Sequence, residues 1–123
     1  MVRVLVLEDE ELVAEIIKDF IEGEFEVTFD NAKDGEEGLE LVKKNHYDLV
    51  IADYILPKMD GAKFARTLRE QGIAENLPIV FVSGSIELCK ESVEDLKHVS
   101  FIAKPWKVKE LIQEVCEKLN KAK

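Results

Sequence analysis

Hydrophobic spacing in this chain alternates between the strand period and the helix period from end to end. Residues 2–7, "VRVLVL", are β-rich and stop at acids, the mark of a strand. Residues 10–22 place Leu12, Val13, Ile16, Ile17, Phe20 and Ile21 at helical spacing as one apolar stripe, with Gly23 as the stop. "FEVTF", 25–29, alternates with period two and reads as a half-exposed strand near an edge, followed by the loop "DNAKDG". "EEGLELVKKN" is a short helix with Leu39 and Val42 inward. "DLVIAD", 48–53, is the nearly continuous apolar run of a strand covered on both faces. After the turn residues of "YILPKMDG", "AKFARTLREQG" forms a third helix closed by Gly72. Pro78 opens the strand "IVFV". A more polar helix spans 86–97 with Ile86, Val93 and Leu96 inward, and "VSFIA", 99–103, is a fifth strand. Val108, Leu111, Ile112, Val115, Cys116 and Leu119 complete a regular final stripe.

Five strand–helix units of differing sequence imply an α/β fold, a parallel sheet with helices on both faces. A chain of 123 residues suits one such domain and leaves no room for a second. Its net charge of -9 argues against direct nucleic-acid binding and against an acidic membrane surface, and favours small cations. No apolar run reaches the roughly 18 residues of a membrane span. The apolar start of "MVRVLVLEDEE" is too short for a signal peptide, so the expected location is the cytoplasm. Cys89 and Cys116 read as lone apolar thiols in helices. His46 and His98 read as neither phosphodonors nor ligands.

In open parallel sheets, ligands bind outside the carboxyl ends of the strands. Those ends carry Glu8 and Asp9 after strand one, Asp53 after strand three, Ser83 after strand four and Lys104 after strand five. Asp30 and Asn31 follow strand two, read as an edge strand. Three carboxylates in one crevice repel one another. A hard cation resolves this, and Mg²⁺ suits best because it takes one or two carboxylates, keeps waters and accepts phosphate oxygens. A neutralised Asp53 can then act as a nucleophile toward phosphorus. Lys104 and Ser83 can hold the oxygens of the transferring group.

With those residues in place the chain resembles a receiver domain of a two-component response regulator over essentially its whole length, 1–123. The marks are "LEDEE", "DLVIADYILPKMDG", "VFVSGS" and "FIAKPW", in that order. The resemblance implies a flavodoxin-like doubly wound (βα)5 fold with strand order 2-1-3-4-5. It implies Asp53 as phosphoacceptor, not a conventional enzyme's active site. Mg²⁺ would be held by Glu8, Asp9, Asp53 and the backbone carbonyl of Ile55, and the phosphoryl oxygens by Ser83 and Lys104. Ser83 and Phe101 would be the switch pair, Ile55 and Ser85 would tune phosphoryl lifetime, and the peptide before Pro105 would be cis. A sensor histidine kinase or phosphotransfer protein would donate, and an output partner or fused domain would read helix four, strand five and helix five. A homodimer through that surface is compatible with it.

Three positions depart from the commonest pattern: Glu8 for Asp, Ser83 for Thr and Phe101 for Tyr. An apolar Ile55 cannot orient an attacking water, so a long-lived phosphoryl form is expected. Trp106 is either packing or part of a partner face. Three other readings compete. A hydrolase of the haloacid dehalogenase type needs a second aspartate at position 55, where this chain has Ile55. A flavodoxin-like electron carrier needs a Ser/Thr/Gly-rich loop where this chain has "EDEE". A degenerate receiver would bind partners without phosphorylation, which the full residue set disfavours.

Overall fold

A computed structural model describes residues 2–104 and 107–121. In chain order the elements are β1 (Val2–Leu7), α1 (Glu11–Glu22), β2 (Val27–Ala32), α2 (Gly35–Lys44), β3 (Leu49–Asp53), α3 (Gly61–Glu70), β4 (Ile79–Ser83), α4 (Ile86–Val93), β5 (Val99–Ala103) and α5 (Val108–Lys121). The strands form one parallel sheet in the order β2-β1-β3-β4-β5, as the resemblance implied.

Strand side chains alternate between faces, so the sheet feeds two cores. Val4, Val6, Ile51 and Val80 face α1 and α5, meeting Ile17, Ile21, Leu111 and Val115. Leu5, Leu7, Val50 and Phe81 face α2, α3 and α4, meeting Val42, Phe64, Leu68, Cys89 and Val93. With β1, β3 and β4 covered on both sides, their carboxyl ends are held level. Leu7 pairs with Ala52, Asp53 with Val82, and Ser83 with Ala103. Asp34 and Asp60 cap α2 and α3, each accepting a backbone N–H at 2.8 Å, from Glu37 and Lys63.

Three expectations need correction. The α1 stripe is not one buried face: Ala14, Ile17 and Ile21 are buried, but Leu12 is 75% exposed, Ile16 46% and Phe20 37%. A helix against a sheet buries only the rows that meet it, and the row of Leu12, Ile16 and Phe20 lies outside. β2 begins and ends later than "FEVTF", running through Asp30 and Asn31, which the sequence placed in a loop. Their polar side chains are satisfied by partners distant in sequence: Asp30 accepts from Arg3 Nη2 at 2.9 Å and from the Tyr47 hydroxyl at 2.6 Å. α4 stops at Val93, not at residue 97, and Leu96 packs from the turn that follows. Pro105 and Trp106, with the expected cis peptide, lie outside the described residues.

Candidate functional site

Two strand ends and one loop build the acidic cluster. β1 delivers Glu8, which is buried, and Asp9, which is exposed. β3 delivers Asp53, half-buried. Carboxylate oxygens of all three lie within 4.8 Å of one another. The backbone around them is pinned: Glu8 N–H donates to Ala32 O at 2.9 Å, and the Asn31 amide donates to the carbonyls of Val6 at 2.9 Å and Glu8 at 3.3 Å. On the other side, Gly61 N–H donates to Tyr54 O at 2.9 Å. A Cβ at Gly61 would collide with the carbonyl oxygen of Asp53, so only glycine lets α3 start this close to β3.

One cation answers the carboxylates. Lys104 Nζ donates to Asp53 Oδ2 at 2.9 Å and lies 4.0 Å from Glu8 Oε1. Burial works against the charged ammonium. The hydrogen bond and charge of Asp53, with Glu8 and Glu10 behind it, outweigh that and hold the pKa of Lys104 above its ordinary value. Glu8 is pushed up to about 7, chiefly by burial. The N–H of Glu10, 3.2 Å from Oε2, pulls it back, while the charge of Asp53 adds to the rise. A carboxyl held that high is one whose anion lacks compensation. The donor set is all hard oxygen with an exposed member, which fits Mg²⁺ and not a soft metal. The carbonyl of Ile55 accepts no hydrogen bond from the described residues, so it is available as a fourth oxygen; the Ile55 side chain is exposed.

Of the other expected residues, Ser83 is tied to Lys104 through the backbone while its hydroxyl is engaged elsewhere, Ser85 stands at the start of α4, and Phe101 packs on β4. Ser83 is buried at the end of β4, and its Oγ accepts from Ser85 N–H at 2.9 Å, turned toward the start of α4. Its carbonyl accepts from Lys104 N–H at 2.9 Å, tying β4 to the lysine. Ser85 occupies the α4 N-cap position without a side-chain capping bond. Phe101 is half-buried, stacked on Phe81 with centroids 5.8 Å apart, and Lys90 Nζ lies 5.9 Å from its ring centroid. It needs no hydrogen-bond partner there.

Sequence reading missed the positioning roles of Asn31 and Gly61. It also missed the contact between the Tyr54 hydroxyl and Ser92 Oγ, 3.2 Å, which ties the loop after Asp53 to α4. Asn31 was visible as a strand-end residue and Gly61 as turn chemistry, but nothing local pointed to their carbonyl contacts.

The family model for the response regulator receiver domain matches residues 4–116. The chain belongs to the response regulator receiver domains. This receiver domain is 35% identical over 112 residues to a probable C4-dicarboxylate response regulator, DctR, of Bacillus subtilis, covering 90% of this chain and 49% of the relative. It is 34% identical over 114 residues to the transcriptional regulatory protein DltR of Streptococcus agalactiae, covering 92% and 50%. The chain thus spans about half the length of these relatives. Among solved structures, the receiver domain of the Francisella response regulator 1452 superimposes with a TM-score of 0.86 at 30% identity, covering all of both chains. A CheY-like receiver domain from Methanospirillum hungatei, 22% identical, shares the fold with a TM-score of 0.88, covering 99% of this chain and 96% of that one. Response regulators act with histidine kinases, and their receiver domains bind Mg²⁺ at an acidic pocket. Among the described residues, no helix is long and apolar enough to cross a membrane.

Proposed function

We propose that Asp53 of this receiver domain accepts a phosphoryl group from a phosphohistidine on a sensor kinase or phosphotransfer protein, and that the chain, as one unit over 1–123, works in the cytoplasm. The observation that carries this is the convergence of three carboxylates within 4.8 Å with a lysine 2.9 Å from one of them. A carboxylate oxygen of Asp53 attacks phosphorus, the bond from phosphorus to the imidazole nitrogen breaks, and that nitrogen keeps the electron pair. Glu8, Asp9, Asp53 and the Ile55 carbonyl would hold Mg²⁺, which when bound supplies positive charge to the phosphoryl oxygens. Lys104 leaves its ion pair with Asp53 to meet one of those oxygens.

The same event sets the switch. The Ser83 hydroxyl turns from Ser85 N–H to donate to a phosphoryl oxygen, and Phe101 follows toward the space it leaves. The surface of α4, β5 and α5 changes, and an output partner or a further domain reads it. This is a two-state element biased by one local charge. Leu12 and Ile16 stand exposed on α1, the helix that follows Asp9 in the chain, as an apolar face for the donor protein that must cover Asp53 during transfer.

Incubation with a phosphorylated histidine kinase domain and Mg²⁺ tests the proposal. Label should leave the kinase and appear on this chain, and Asp53→Ala should receive none. Transfer to Asp53→Ala at the parent rate would refute the assignment.

A further inference from the structure

A second concavity lies at the amino ends of the strands, at the other end of the sheet from Asp53. It has a volume of about 890 Å³, within the range of small-molecule sites. Its walls are the turns after α2, after α3 and before β5, with the last part of α5 at one side. The basic groups are Lys43, Lys44 and Lys118, with His46 and His98 on the same rim; the acids are Asp48 and Glu75. With both histidines neutral the lining carries one net positive charge, on a chain of net charge -9. Asp48 is already engaged: Oδ2 accepts Arg3 N–H at 2.9 Å, and Oδ1 lies 3.6 Å from His46 Nε2. Lys118 stands 4.0 Å from Glu114. Lys43 and Lys44 are exposed and have no ion-pair partner among the described residues.

The walls are held open by the fold. Arg69 donates to the carbonyls of Ala74 at 3.0 Å, Leu77 at 2.7 Å and Lys97 at 3.1 Å, binding two of the wall turns together. Ala74 and His98, one on each of those turns, have φ of +49° and +60°, a conformation that side-chain-bearing residues adopt at a cost and that the surroundings must enforce. Tyr47, Ile73 and Pro78 supply apolar wall between the charged groups.

The geometry points to a binding site for a phosphate monoester carried on a flat aromatic base, the chemistry of a mononucleotide, with Lys43 and Lys44 taking the phosphate and the apolar wall taking a face of the ring. The site is independent of the proposed chemistry at Asp53 and lies at the opposite end of the sheet. Adenosine monophosphate is the probe, titrated into the ¹⁵N-labelled full chain with EDTA present so that no metal recruits phosphate to the acidic crevice. Saturable shifts are expected at residues 43–48, 73–77 and 98, with a Kd of about 1 mM or tighter. Lys43→Gln with Lys44→Gln should weaken binding about tenfold or more. Lys43→Gln and Lys44→Gln made singly are the independent check should that pair disturb α2, each weakening binding by a smaller factor. Adenosine and inorganic phosphate alone should each bind more weakly than the nucleotide. Absence of saturable shifts, shifts confined to the Asp53 end, adenosine binding as tightly as its monophosphate, or lysine variants that bind like the parent would each overturn the proposal.

Discussion

Lys104 Nζ stands 2.9 Å from Asp53 Oδ2 and 4.0 Å from Glu8 Oε1, so one ammonium from the end of β5 serves carboxylates from the ends of β3 and β1. Lys104→Ala removes that charge from a half-buried cluster. We expect phosphorylation by acetyl phosphate to slow by about 10²-fold, because a preorganised donor to the developing charge is gone. At pH 8, where Glu8 gives up its proton, the folded state without Mg²⁺ should lose about 1–3 kcal/mol by urea denaturation, because Glu8 and Asp53 then repel without the ammonium beside them.

Glu8 gives the fold a pH dependence in the absence of divalent metal. Its carboxyl rises from an ordinary 4.5 to about 7 on folding, so between those values the folded state holds the extra proton. Stability therefore falls as pH rises from about 4.5 and levels off above about 7, a loss of up to roughly 3 kcal/mol. Glu8→Gln should flatten this profile in EDTA and weaken Mg²⁺ binding. In the parent, saturating Mg²⁺ should restore stability at pH 8. Urea midpoints at pH 5 and pH 8, with and without Mg²⁺, check both.

Gly61→Ala should destabilise the protein by about 1–3 kcal/mol. The added Cβ meets the Asp53 backbone carbonyl, which sits in a strand buried on both sides and cannot yield like a flexible side chain. The loop after β3 must move, so Mg²⁺ affinity should fall along with the thermal midpoint.

Phosphoryl lifetime should depend on Ile55. Its side chain offers no group to orient water, and the phosphorylated protein should persist well beyond seconds in Mg²⁺. Ile55→Asn should shorten the half-life without changing the site of modification. A parent half-life of seconds would contradict this reading.

The two thiols should react at different rates. Cys89 is fully buried in the core that also holds Val93 and Phe81, and burial pushes its pKa up to about 12, with Asp53 and Asp60 adding to the rise. A thiol-specific reagent should label half-buried Cys116 first and reach Cys89 only as the protein unfolds.

Much of this was legible in the residues. A nearly continuous apolar run ending in a carboxylate, as at Leu49–Asp53, describes a doubly covered strand aimed at a polar crevice. The strand ends named Glu8, Asp9, Ser83 and Lys104 for the same reason. Asp30 and Asn31 were misread as loop because an edge strand tolerates polar residues when distant partners satisfy them, here Arg3, Tyr47 and the carbonyls of β1. The exposure of Leu12 and Ile16 was equally hidden: helical spacing shows which residues share a face, not how much of it the sheet covers. Ser83 was placed correctly in the chain, but its bond to Ser85 N–H depends on the turn between them.

The most direct measurement of the central claim is the intact mass of the protein after incubation with acetyl phosphate, with Asp53→Ala beside it. The account predicts one added phosphoryl group on the parent with Mg²⁺, none in EDTA and none on Asp53→Ala in either condition. No addition to the parent, or the same addition to Asp53→Ala, would contradict it and leave a receiver fold that binds its partners unmodified.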